Sequence, residues 1–168
     1  MEIKKFKLFE QEITLGDNQT APTQTEQPAD NPQETQTQET SSNVDISKYF
    51  SKLFEARQMA HVYHLQVKGD VGSHAAHTAL NEYYDGLLDF VDQIIEVYQG
   101  QYGIIESYEP IDTKEAASKD KIVYFEELVN FIKNEKKCIK SEDSHLLNIV
   151  DEIVALTYSL LYKLKFNK

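Results

Sequence analysis

The sequence predicts an all-α protein, a four-helix bundle with one long crossover between helices two and three. Three observations predict it. After residue 45, apolar residues recur at spacings of three, four and seven over long stretches. No stretch sustains the apolar–polar alternation of a half-buried strand over six residues. The links between the periodic stretches are short, long and short in turn, which sets the connectivity of a bundle with one crossover.

Residues 1–14, MEIKKFKLFEQEIT, are a charged and apolar mixture too short to be a stable element alone. They read as a docking or targeting segment. The segment resembles the N-terminal targeting peptides of internal head proteins in large tailed phages, which end in Leu/Ile-x-Glu; here Leu8-Phe9-Glu10 carries the resemblance. It implies cleavage after Glu10 and a virion-associated, phage-encoded protein as one setting.

Residues 15–44 are rich in Gln, Thr, Pro and Asn. They hold Pro22, Pro28 and Pro32, five acids (Asp17, Glu26, Asp30, Glu34, Glu39) and no lysine or arginine. So little apolar surface cannot offset the entropy of ordering, and the stretch is expected to be a disordered acidic tether.

Residues 45–168 carry the bundle. Asp45 and Ser47 are candidate N-caps, and Ile46, Phe50, Leu53, Ala60 and Val67 mark one stripe, giving a first helix over about 47–68 ended by Gly69. Ser73 is the expected cap of a second helix running to about Tyr98, before Gly100. Its apolar positions include Leu80, Tyr84, Leu87, Leu88, Val91, Ile94 and Ile95. Residues 101–120 contain Gly103 and Pro110 and little periodicity, as a crossover requires. A third helix is expected over 121–139, with Val123, Leu128, Phe131 and Ile132 inward. A fourth, capped by Ser141 or Asp143, runs to about Phe166 with Leu147, Val150, Val154, Leu161 and Leu164 inward.

Charge and cysteine content exclude several function classes. The formal net charge is −11, from 17 basic and 28 acidic residues, which argues against nucleic acid as a partner because phosphate binding needs a basic surface. The single cysteine, Cys138, forbids an intramolecular disulfide and suits a reducing compartment. It reads as a small helix-end residue, with a thiol activated by the neighbouring lysines as the alternative. No apolar run of 18 residues and no secretory h-region occur, so the expected location is cytoplasmic, without a membrane partner.

The chemistry concentrates between His61 and Glu96, which holds four of the five histidines. His61 and His64 share a face of the first helix, and His74 and His77 a face of the second. Neutral imidazole is the commonest transition-metal ligand. Asp92 and Glu96 neighbour each other four residues apart. At about 100° per residue, His77, Asn81, Leu88, Asp92 and Glu96 lie along one broad stripe. His77 and Asp92 are nonetheless roughly 22 Å apart along a helix, so they cannot hold one ion within a subunit. Two second helices paired antiparallel about a two-fold axis would bring them together and create two equivalent sites.

At these residues the sequence resembles the Dps family of mini-ferritins. His64-Leu-Gln-Val-Lys-Gly69 is similar to the family's H-W-x-V-x-G, and His77 followed by Asp92 and Glu96 is similar to its H…D-x-x-x-E. The resemblance implies a ferritin-like fold and an inter-subunit ferroxidase site made of His64, His77, Asp92 and Glu96. It also implies iron as the metal, with zinc or manganese suited to the same donors, and a homo-oligomer that is at least a dimer and in the family a dodecamer. His61, His74 and Asn81 are secondary candidates. Four features differ from the family pattern. The interval from His64 to His77 is one residue longer, Asn81 replaces an aspartate, Leu65 replaces an aromatic, and the tail is acidic where DNA-condensing members have lysines. The alternative is a ferritin-like structural or accessory protein that acts through oligomerisation. Glu142-x-x-His145 has the spacing of a larger ferritin's di-iron ligands, but its place at a helix start reads as capping.

Overall fold

A computed structural model describes residues 44–69 and 73–167. The chain divides into two units, Met1–Glu39 and Thr40–Lys168, and the described residues belong to the second. The expectations for residues 1–14 and for the tether up to residue 43 lie outside the described residues. The described part is helical and contains no strand: α1 (Ile46–Gln66), α2 (Ser73–Tyr102), α3 (Lys121–Glu135) and α4 (Ser144–Phe166). Two 3-10 turns, Lys114–Ala117 and Lys136–Cys138, lie in the crossover and after α3. No described helix is long and apolar enough to cross a membrane.

Side-chain contacts fix the direction of each helix. Phe50 near the start of α1 meets Tyr98 near the end of α2, while His64 near the end of α1 meets His77 near the start of α2. The Tyr49 hydroxyl donates to the Ile132 carbonyl late in α3, whereas Tyr63 packs on Tyr124 and Phe125 early in α3. Thus α1 is antiparallel to both α2 and α3. Gln101 bonds Asp143 at the start of α4, and Lys165 reaches back to Glu126, so α4 is antiparallel to α2 and α3. Since α2 and α3 run the same way, the segment between them must cross the length of the bundle. It does so along α1: the Glu109 amide donates to Ser51 Oγ, Tyr108 packs on Phe54, and the Tyr63 hydroxyl donates to the Lys119 carbonyl.

The core is continuous. Tyr49, Phe50, Leu53, Ala56, Met59 and Ala60 of α1 are fully buried against Leu80, Leu87, Phe125, Ile132, Leu146, Val150 and Ile153. Each fully buried large apolar side chain stabilises the fold by about 1.5–3 kcal/mol.

Several helix ends differ from the sequence reading. Gly69 does not end α1; the helix closes at Gln66, with Val67 in extended geometry and its amide on the His64 carbonyl. Gly100 does not stop α2, which continues to Tyr102. The terminator is Gly103, the one described glycine with positive φ, at 92°, a conformation that costs a Cβ-free residue little. Ser73 is the first residue of α2 rather than a flanking cap. α3 ends at Glu135 because the backbone tightens into the 3-10 turn over Lys136–Cys138. One residue expected inward is exposed: Val123. It lies one position from Tyr124, which does face a neighbouring helix. A side chain about 100° further round no longer reaches the seam.

Candidate functional site

The end of the bundle where α1 passes into α2 holds a cluster of polar and aromatic side chains. His64, in the last turn of α1, is buried, and His77, one turn into α2, is exposed. Their rings stack, with centroids 3.7 Å apart and planes inclined by 27°. Each bonds the other's backbone: His64 Nδ1 lies 3.0 Å from the His77 carbonyl, and His77 Nδ1 lies 3.3 Å from the His64 carbonyl. A carbonyl only accepts, so both Nδ1 atoms carry hydrogen. In the neutral rings this leaves each Nε2 with its lone pair free. The bond from His77 gives the His64 carbonyl, in the last turn of α1, a second donor beside the Val67 amide.

Neighbouring side chains frame the pair. His61 packs on Tyr84 at 4.8 Å and lies 6.2 Å from His64, while Tyr84 meets His64 edge-on at 5.5 Å. The Arg57 guanidinium lies 5.7 Å from the centre of the Tyr84 ring, and its buried Nε has no hydrogen-bond partner among the described residues. Tyr84 reads from the sequence only as an apolar position of the second helix, and Arg57 is not among the candidate site residues. Their spacing from His61 and His77, four and seven residues, was the available signal.

The remaining candidates distribute unevenly. Asn81 is committed on both sides: its oxygen accepts from the Tyr84 hydroxyl at 2.7 Å and its nitrogen donates to Asp85 at 2.8 Å. His74 is exposed one turn before His77. Asp92 and Glu96 are exposed further along α2, about four and five turns from His77. Among the described residues no three His, Cys, Asp or Glu side chains lie close enough to hold one ion. The structure therefore brings His64, His77 and His61 together and leaves Asp92 and Glu96 as a separate pair on the same helix. Two apolar side chains stand in the open beside these groups, Leu65 at 70% and Leu88 at 38% exposure.

The histidine geometry limits how metal could sit. An imidazole binds in its own plane at roughly 2.1 Å. Planes inclined by 27° and 3.7 Å apart meet well beyond that distance. The two rings as they stand suit two ions, or one ion after a ring turns.

A second polar cluster joins the far ends of α2 and α4. Buried Asp143 stands at the N-cap position of α4, yet its carboxylate makes no cap bond. It accepts instead from the Tyr102 hydroxyl and from Gln101 Nε2, and Gln101 Oε1 pairs with His145 Nε2 at 3.0 Å. The hydrogen bond from Tyr102 holds the Asp143 carboxyl below its usual range. The same bond, with burial, pushes the Tyr102 hydroxyl up to about 12. Glu142 and His145 thus do not act as a pair; His145 braces α4 against α2. Burial pushes the Cys138 thiol up to about 11, opposite to the activation its lysine neighbours suggest, so the small helix-end reading stands.

The fold and this site define an all-helical bundle protein with a histidine clip between its first two helices. The chain belongs to DUF5856, a family of unknown function, whose model matches residues 64–164. The match opens at His64 and takes in His77, Asp92 and Glu96. No curated protein and no solved structure matches the chain.

Proposed function

We propose that the protein is a ferritin-like, Dps-like iron-binding bundle whose metal sites are completed by a second copy. The carrying observation is the reciprocal Nδ1 bonding of His64 and His77, which fixes the tautomer and leaves both Nε2 atoms as acceptors, the state a metal ligand requires. Iron is the substrate in this reading. His64 and His77 supply nitrogen, and Asp92 and Glu96 of a two-fold partner supply oxygen. Zinc or manganese would suit the same donors. The exposed Leu65 on α1 and Leu88 on α2 favour a covered face there.

Asp85 falls midway between His77 and Asp92 in sequence, so antiparallel pairing of α2 sets acids from both copies near the axis. Cation binding would offset that repulsion and tighten the dimer. Anaerobic addition of ferrous iron, followed by oxygen or peroxide, tests the reading by ferric absorbance, with sedimentation reporting assembly. Retained iron and a metal-dependent rise in oligomer, both lost in His77→Ala and in Asp92→Asn, are expected. No iron uptake, or uptake indifferent to both substitutions, would sink it.

The same reciprocal bonds favour one second reading, a structural protein in which the pair only clips α1 to α2. In that case His77→Ala lowers the melting temperature and changes no metal-dependent property.

A further inference from the structure

We infer that the outer face of α3 and α4 is a docking strip for an acidic, amphipathic helix of a partner protein. This strip lies on other helices than the metal-site residues and does not rest on the iron reading.

Its first half is apolar. Tyr158, Tyr162 and Phe166 recur every four residues along α4, at 49%, 61% and 67% exposure. With Val129 and Leu161 they line an open groove of about 430 Å³. The Tyr162 and Phe166 rings pack on each other at 5.5 Å, so they form a continuous ledge rather than separate platforms.

Its second half is basic. Residues 133–140 contain Lys133, Lys136, Lys137 and Lys140 against one acid, Glu135, in a chain where acids outnumber bases 28 to 17. These lysines, with Glu142 as the one acid among the lining residues, line an adjoining open depression of about 600 Å³. Their charge is only loosely matched: Lys136 is 3.5 Å from Asp151 at the surface, and Lys137 is 3.4 Å from Glu135 Oε2, an atom buried without a hydrogen-bond partner among the described residues. An exposed pair such as Lys136 and Asp151 holds its charges only weakly. The two halves join where Lys133 Nζ lies 5.9 Å from the centre of the Tyr158 ring. At the apolar end the charge is closed off, because Lys165 is bound to Glu126 at 2.6 Å.

An apolar ledge continuing into a lysine cluster complements one helix with apolar residues at i, i+4 and i+8 and acids at one end. The three aromatics span roughly 12 Å and the lysines about 10 Å more, the length of about 15 helical residues. Two other occupants fit less well. Three partly exposed rings offer about 350 Å², short of the roughly 800 Å² per partner of a stable dimer. A nucleic-acid strand long enough to leave the strip would meet the acidic surface of the bundle within a Debye length of about 8 Å.

The test uses the full chain and fluorescence anisotropy. The probes are labelled helix-forming peptides of about 16 residues with leucine at i, i+4 and i+8 and glutamates at one end, made in both polarities. A scrambled peptide of equal composition and a short oligothymidylate serve as comparisons. One ordered polarity should bind about tenfold or more tightly than the scramble. Tyr162→Ser and the pair Lys136→Glu, Lys137→Glu should each weaken it about tenfold. Lys114→Glu, on the exposed crossover, should leave it unchanged. Circular dichroism melts of each variant establish that the fold is intact. The proposal is overturned if neither ordered peptide outbinds the scramble or if the oligothymidylate binds more tightly. It is also overturned if the chain forms dimers that Tyr162→Ser disrupts, which would assign the ledge to a second copy.

Discussion

The seam between α2 and α4 carries one buried polar pair, and its energetics follow from its hydrogens. The Tyr83 hydroxyl lies 3.1 Å from Thr157 Oγ1, with both residues essentially inaccessible. Thr157 Oγ1 already donates to the Ile153 carbonyl at 2.8 Å, so Tyr83 is the donor and Thr157 the acceptor. Burial pushes the Tyr83 hydroxyl well above its usual range. Thr157→Val keeps the side chain's shape but leaves the Tyr83 donor buried without a partner, a loss of about 1–3 kcal/mol. Tyr83→Phe removes the donor itself and leaves Thr157 bonded to Ile153, so it should cost only about 0.5–1.5 kcal/mol. The double variant leaves no orphan and should cost less than the two singles together by about 1 kcal/mol or more. Urea unfolding followed by circular dichroism reads this directly. With a slope of about 2 kcal/mol per molar urea, a loss of 2 kcal/mol lowers the midpoint by about 1 M. Additivity of the two substitutions within about 0.5 kcal/mol, or a Thr157→Val no worse than Tyr83→Phe, would refute the donor assignment.

Three further outcomes are expected. Gly86→Ala should raise stability by up to about 1 kcal/mol, because Gly86 is inside α2 and an added Cβ would sit 3.6 Å from Leu156 Cδ2, an ordinary contact; thermal melts check it. The Tyr102–Asp143 bond should give stability two pH limits. The Asp143 carboxyl is depressed in the fold, so its contribution is present above the unfolded value near 3.9 and lost as pH falls through the folded one. The Tyr102 hydroxyl is raised to about 12, so its contribution is present below about 10 and lost as pH rises toward 12. Stability–pH profiles of Tyr102→Phe should show a smaller alkaline loss, since Tyr49, Tyr83 and Tyr124 are also raised by burial and keep theirs, and a smaller acid loss. Cys138, with its thiol pushed up to about 11, should react with a disulfide reagent at pH 8 far more slowly in the folded chain than in urea.

Helix positions were legible because their cause is local. The stripe through Phe50, Leu53 and Ala60 repeats with the helical turn, and any chain with that period gains by laying it against a neighbour. The ends were less legible. Gly69 and Gly100 have the composition of terminators, but α2 runs through Gly100 to Tyr102, where the hydroxyl reaches Asp143 of α4. That bond between residues 41 apart leaves no local trace in the sequence. Val123 was misplaced for a related reason: periodicity gives the width of an apolar face, and only neighbouring helices decide which edge of it is covered.

The sequence by itself determined four helices, their order, the long crossover, and the placing of His64 and His77 on facing helix ends with Asp92 and Glu96 about four to five turns away. Those properties depend on spacing along a helix of known pitch. The tertiary structure alone decided that the two imidazoles stack and bond each other's carbonyls, that Asn81 is held by Tyr84 and Asp85, that Asp143 serves Tyr102 and Gln101 instead of its own helix, and that the aromatic ledge of α4 runs into the lysines after α3. Each of these joins residues whose proximity depends on how side chains settle between elements, a choice made by packing and hydrogen-bond satisfaction rather than by spacing in the chain.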